Sequence, residues 1–149
     1  MLTSSQAVTL KSAITSDATV SGAVTARNWF AIAENYNSAT TTQIWRNDIT
    51  PGQILTAIVG SEAIKQSAQQ LQLAQLLLTE PVVDATNLVV RAQFSSIFPA
   101  SSAASTSANL VTVAQRPATK FENLFVTSLV STVYGYTLTP QDVQNAMGF

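Results

Sequence analysis

Residues 50–79, TPGQILTAIVGSEAIKQSAQQLQLAQLLLT, are the longest run of good helix formers in the chain and carry its clearest start signal. Thr50 has the side-chain oxygen an N-cap needs. Pro51 suits the first helical position, where its missing N–H is not required. Ile54, Leu55, Ile58 and Val59 then recur at helical spacing. Gly60 is placed to end this helix in a left-handed turn, and Ser61 to cap a second one with Glu62 near its positive end. In the second helix Ile64, Ala68, Leu71, Ala74 or Gln75, and Leu78 step by three and four. Leu73, Leu76 and Leu77 widen the apolar face, which predicts burial on more than one side. Pro81 closes the segment. These features specify a mainly helical domain and no chemistry.

The 149 residues suit one domain with an adequate core, which would bury about 70% of the unfolded surface. Charged residues make up only 10%, with Ser, Thr, Asn and Gln in their place. A surface so poor in charge does little to keep monomers apart, which favours a homo-oligomer over a lone Ser/Thr-rich monomer. The net charge of −1, with seven basic residues scattered from Lys11 to Lys120, argues against a nucleic-acid-binding domain. No apolar run is long enough to span a membrane, and the N-terminal MLTSSQAVTLKSAITSD lacks the basic start and apolar block of a signal peptide.

Outside the central stretch, residues 1–16 read as an amphipathic helix capped by Ser4 or Ser5, and residues 18–25 as a loop containing Gly22. Residues 26–36 read as a helix with Trp29, Phe30, Ile32, Ala33 and Tyr36 inward, the aromatic pair serving as a core anchor. Residues 37–43 read as a polar loop before the short extended Ile44-Trp45-Arg46, where Arg46 is free to pair with Asp48 or with a partner chain. Asp84 is placed to cap a helix over 85–97 with Leu88, Val89, Ala92 and Phe94 or Ile97 inward. A further helix spans 103–115, and Thr119 starts another whose Lys120 and Glu122 lie on a solvated face with Arg116. Residues 127–138 change to strand formers with a bend at Gly135, and Thr139-Pro140 opens a last short helix.

The constellations of catalysis are missing from the sequence. With no His and no Cys, there is no imidazole base, no thiolate nucleophile and no disulfide. No Gly-rich phosphate motif occurs, and the acids are isolated; Glu80 and Asp84, the closest pair, read as caps. The expectation is therefore a protein that is not an enzyme and uses no cofactor or metal.

Three stretches resemble, in order and approximate spacing, a family of small virion proteins of tailed bacteriophages. ARNWFAIAENYNSATTTQIWRNDIT, residues 26–50, resembles a segment with FAIAEAFN, a polar loop and VWR. NLVVRAQFSSIF, residues 87–98, resembles that family's NVRAGI…IF helix. LVTVAQRPATKFENLFVT and GYTLTPQDVQNAMGF resemble its C-terminal block, through Ala118-Thr119, Glu122, Leu124-Phe125 and Gln141-Asp142-Val143. Residues 60–79 depart from the family pattern, and TSLVSTVYGYTL replaces a Gly-rich loop.

The resemblance implies a structural protein of the virion neck, made in the host cytoplasm: a head–tail adaptor forming a homo-oligomeric ring of about twelve subunits, a closed heterologous assembly. The ring would sit on the portal protein, contact neck and tail proteins, and continue the DNA channel with at most transient, non-specific contact with DNA and none with membrane. The implied architecture is mainly α, a compact helical bundle over 1–126 with an extended, partly β C-terminal arm over 127–149 ending in a short helix. Candidate interface residues are Tyr134, Tyr136, Leu138, Gln141, Asp142, Val143 and Phe149 of the arm, with Arg46. The arm is expected to dock on a neighbour by strand or helix addition, so that its deletion abolishes assembly and leaves the helical domain folded. Rival readings are a tail terminator, a tail component or a decoration protein, and, from a different class, a soluble helical protein-binding module. An enzyme, with a pocket lined by Lys65, Arg91 or Arg116, is the most distant.

Overall fold

Capping boxes decide where half of the helices begin. In a computed structural model describing all 149 residues, Thr3, Thr50, Ser67, Thr119 and Thr139 each accept the N–H three residues on, and the residue there returns a side-chain oxygen to the cap's own N–H. The fold is mainly α: ten α-helices, one short 3-10 turn and two two-stranded sheets. No helix is long and apolar enough to cross a membrane.

The chain divides into two units. One comprises Met1–Gln43 with Pro117–Phe149, the other Ile44–Arg116. The expected boundary after residue 126 thus falls inside the first unit. The chain leaves that unit along β1 (Ala39–Trp45) and returns along β2 (Gln115–Thr119), and these strands are hydrogen-bonded neighbours. Residues 37–43, expected as a polar loop, are mostly strand because the β-branched run Thr40-Thr41-Thr42 favours extended backbone.

In the first unit, α1 (Ser4–Ser16) packs on α10 (Pro140–Met147), and α10 packs on α3 (Trp29–Asn37). The core holds Leu10 and Ile14 from α1, Ile32 and Tyr36 from α3, and Val143 from α10. Phe121, from the single turn α9 (Lys120–Asn123), is also fully buried. Residues 18–25 are helical rather than a loop: a 3-10 turn capped by Asp17 leads into α2 (Ser21–Thr25). Trp29 is half-buried as expected of an anchor, but Phe30 is 66% exposed, since the inward face of α3 runs through Ile32, Ala33 and Tyr36.

Residues 127–149 do not stand out as an extended arm. β3 (Val126–Thr127) and β4 (Val130–Ser131) form a minimal hairpin, and Val133, Leu138, Val143 and Ala146 enter the core of the first unit. Burying these four apolar side chains is worth more than leaving the segment solvated. The expected bend at Gly135 is present, with φ +72.

The second unit contains α4 (Pro51–Ala57), α5 (Gly60–Ala63), α6 (Ala68–Thr79), α7 (Leu88–Ile97) and α8 (Ala104–Ala114). Thr50 and Pro51 open α4 as expected. Gly60, however, begins α5, and Ser67 rather than Ser61 caps the long helix, because Ser67 has Gln70 three residues on to complete the box. Asn87 caps α7; Asp84 instead closes a turn onto Thr86. The core of the second unit includes Ile54, Phe94, Ile97, Phe98 and Leu110. Leu88 and Val89, expected inward, are 73% and 62% exposed; the buried stripe of α7 is confined to its second half, at Phe94 and Ile97.

Candidate functional site

The C-terminal candidates are held by one carboxylate. Asp142, at the third position of α10, accepts the Thr139 N–H at 3.1 Å, the Thr139 hydroxyl at 2.6 Å and the Tyr136 hydroxyl at 3.0 Å, all through Oδ2. Burial alone would raise the Asp142 carboxyl, but the Thr139 and Tyr136 hydrogen bonds outweigh it and hold the group below the usual carboxylate range. Burial, with the same contact adding to it, pushes the Tyr136 phenol up. Ahead of α10, Asn37 takes the Leu138 N–H on Oδ1 and donates its amide to the Leu138 carbonyl, both at 2.8 Å. This pins the segment before α10 to the end of α3.

Leu138, Asp142 and Val143, read as interface residues, are therefore interior, at 2%, 8% and 0% exposure. Their side chains are engaged within the chain: apolar contact for Leu138 and Val143, hydrogen bonding for Asp142. Tyr134 and Tyr136 are half-buried, and Gln141 is exposed. Phe149 remains largely exposed but is positioned. Gly148, in the left-handed region at φ +87, turns the chain back so that Phe149 lies 5.3 Å from the Trp29 ring, with the Arg27 guanidinium 4.6 Å from its own. Beside this end, Phe30, Ala33, Glu34, Asn37, Leu138 and Pro140 line an open groove.

Arg46 is not brought together with the C-terminal candidates. It lies in the second unit, where its Nε meets Asp48 at 2.9 Å and its guanidinium donates to the Val113 carbonyl at 3.4 Å, at the negative end of α8. Of the two pairings the sequence left open, the one with Asp48 is made. Arg91 is spent in a similar way: it donates to the Ala85 and Thr86 carbonyls and lies 4.6 Å over the Trp45 ring. The cavity that Trp45, Arg91, Phe94 and Leu110 help line is about 60 Å³, far below the several hundred of a small-molecule site.

Two buried or linking polar groups escaped the sequence reading. Glu122, assigned to a solvated face, is 1% exposed. It takes the Thr119 N–H at 2.9 Å and the Gly135 N–H at 2.7 Å. The Thr119-x-x-Glu122 box was the available signal, since a box glutamate turns back onto its helix. Glu62 caps a helix distant in sequence: Ala103 supplies no cap to α8, and the Glu62 carboxylate accepts the Ser105 and Thr106 N–H groups at 3.1 and 2.7 Å. The hydrogen bonds from Thr106 lower the Glu62 carboxyl most, with those from Ser105 adding to them. No local pattern announces such a cap.

The largest departure lies at α6. None of its residues is buried, although double-sided burial was expected. Ala74, Leu77 and Leu78 pack on the core, while Leu73 and Leu76 are 41% and 64% exposed. Leu73, Leu76, Leu77, Glu80, Gln93 and Ile97 line an open groove of about 210 Å³. No protein-family model, curated protein or solved structure matches the chain.

Proposed function

We propose that this chain is a structural protein of a tailed-phage particle, a head–tail adaptor forming a ring on the portal and continuing the DNA channel toward the tail. The observation that carries the reading is where the residues of the three resembling stretches lie. Ile32 and Ala33 from the first and Val143 from the third share one core, with Leu124 and Phe125 packed against it. Trp45 from the first and Arg91 from the second stack on each other in the other unit. A shared framework requires such stretches to be contact partners, and scattered coincidences do not. The low charge favours a part that is covered on assembly.

In this reading the adaptor meets its neighbours with folded surfaces. Gln141 and Phe149 are the exposed members of the C-terminal set and the ones offered to a portal or tail protein. The test is light scattering of the purified chain over a concentration series, alone and with a portal protein, with negative-stain images of large species. A ring, or a smaller species recruited into one by the portal, is expected. A chain that ignores portal and tail proteins overturns the assignment and leaves the protein-binding module.

A further inference from the structure

α6 carries its charges at the wrong ends. It has no acidic residue in its first turn and no basic residue in its last. Lys65 instead precedes its positive N-terminus, and Glu80 sits at its negative C-terminus. Glu80 thus faces a helix pole of its own sign, an unfavourable placement, while Lys65 stands between the negative end of α5 and the positive end of α6. Both side chains are exposed, and neither has a hydrogen-bond or ion-pair partner in its own chain. Between them no residue is charged, and the outer face presents Gln69, Gln72, Leu73 and Leu76.

We infer that this face of α6 binds the same face of a second copy of the chain, with the two helices antiparallel about a two-fold axis. That arrangement brings Lys65 of each copy to Glu80 of the other and sets each charge against a helix pole of opposite sign. The register that does so also opposes Leu76 to Gln69 and Leu73 to Gln72 of the second copy. Leucines therefore cover the methylenes of glutamines while the amides stay at the rim. A parallel pairing would oppose like charges at both ends. Because the contact is isologous, each interaction occurs twice. The inference does not rest on the virion reading: a neck ring needs a heterologous contact, and this surface gives a closed dimer.

The experiment is sedimentation equilibrium on the full chain and three variants, each first checked for native helix content by circular dichroism. Wild type is expected to show a monomer–dimer equilibrium. Leu76→Lys, at an exposed position, should leave the fold intact and abolish the dimer. Lys65→Glu should raise the dissociation constant roughly tenfold or more, since attraction becomes repulsion at both ends. Adding Glu80→Lys to Lys65→Glu should recover part of the lost affinity and leave the double variant tighter than Lys65→Glu alone, because the exchange recreates both cross-pairs while setting each charge against a like pole of the second copy. A wild-type chain that stays monomeric at every concentration overturns the inference. So does any assembly, dimer or ring, that is indifferent to Leu76→Lys, or a double exchange that fails to rescue.

Discussion

The carboxylate of Glu122 accepts the backbone N–H of Gly135 at 2.7 Å, and through its other oxygen the N–H of Thr119 at 2.9 Å. One buried side chain thus fixes the start of α9 and the turn after β4. Glu122→Ala should destabilise the first unit by about 2–4 kcal/mol, because two part-buried backbone donors lose a charged acceptor. Glu122→Gln should cost less, one of the two N–H groups then meeting an amide donor. Gly135→Ala should cost about 1–2 kcal/mol from its positive φ alone, since nothing lies within 4 Å of an added Cβ. Urea titration followed by circular dichroism measures all three.

Tyr36 predicts an alkaline weakness. Burial, then the neighbouring Asp17 charge and its hydrogen bond, push the phenol up from 10.0 to about 12. Between these values the unfolded chain loses the proton that the folded chain keeps, so stability falls as pH rises. The stability associated with this group is fully present below about 10 and lost by about 12, a loss of about 3 kcal/mol by linkage. Tyr36→Phe should flatten that part of the stability–pH curve, measured by denaturant midpoints across the window.

Asp142 predicts the acid counterpart. Its folded value is depressed, so its contribution is present above the unfolded value, close to 3.8, and fades as pH falls through the folded one. Asp142→Ala removes three accepted hydrogen bonds at the head of α10 and should cost about 2–3 kcal/mol at neutral pH. The variant should also show a shallower loss of stability on acidification than wild type.

In the second unit, the fully buried Thr106 hydroxyl accepts the Val59 N–H at 3.0 Å. Thr106→Val keeps the shape and orphans that donor, which should cost about 1–3 kcal/mol. Glu62→Gln should lower the melting temperature further, because a neutral amide is a weaker cap for α8. Thermal melts of both single variants and the double variant test this.

Deletion of residues 127–149 should unfold the first unit rather than merely block assembly. Four buried apolar side chains leave its core, and each large one costs about 2–5 kcal/mol. Loss of the amide-exchange protection of α1 and α3 in the truncated chain is the expected result. Retained protection there would restore the picture of a dispensable arm.

Helix starts were legible from the sequence because a cap is a local device: Thr50-Pro51 and Thr139-Pro140 need only the next three residues. Ser61 was misjudged against Ser67 for the same reason, since only the latter has Gln70 in place to complete the box. Inward faces were less legible. Leu88, Val89 and Phe30 obey helical spacing, but spacing cannot reveal that nothing in the chain lies opposite them. The C-terminal candidates were half legible: Gln141 and Phe149 stayed outside, while Leu138, Asp142 and Val143 were drawn inward by Asn37 and the core. Glu62 acts on Ser105 and Thr106, and Glu122 on Gly135, all far along the chain; of these two carboxylates only Glu122 had a local signal, its box with Thr119.

The split of the first unit across the chain has a consequence for biosynthesis. Lys11 donates to the carbonyl of Met147, a closure across nearly the whole length. The ribosome therefore delivers the contiguous Ile44–Arg116 unit complete while α1 and α3 still await α10. Folding should proceed from the middle outward, the N-terminal helices spending most of synthesis with apolar faces uncovered. A nascent chain stalled shortly after residue 116 has emerged should protect its central segment from protease and leave its first 43 residues open to cleavage.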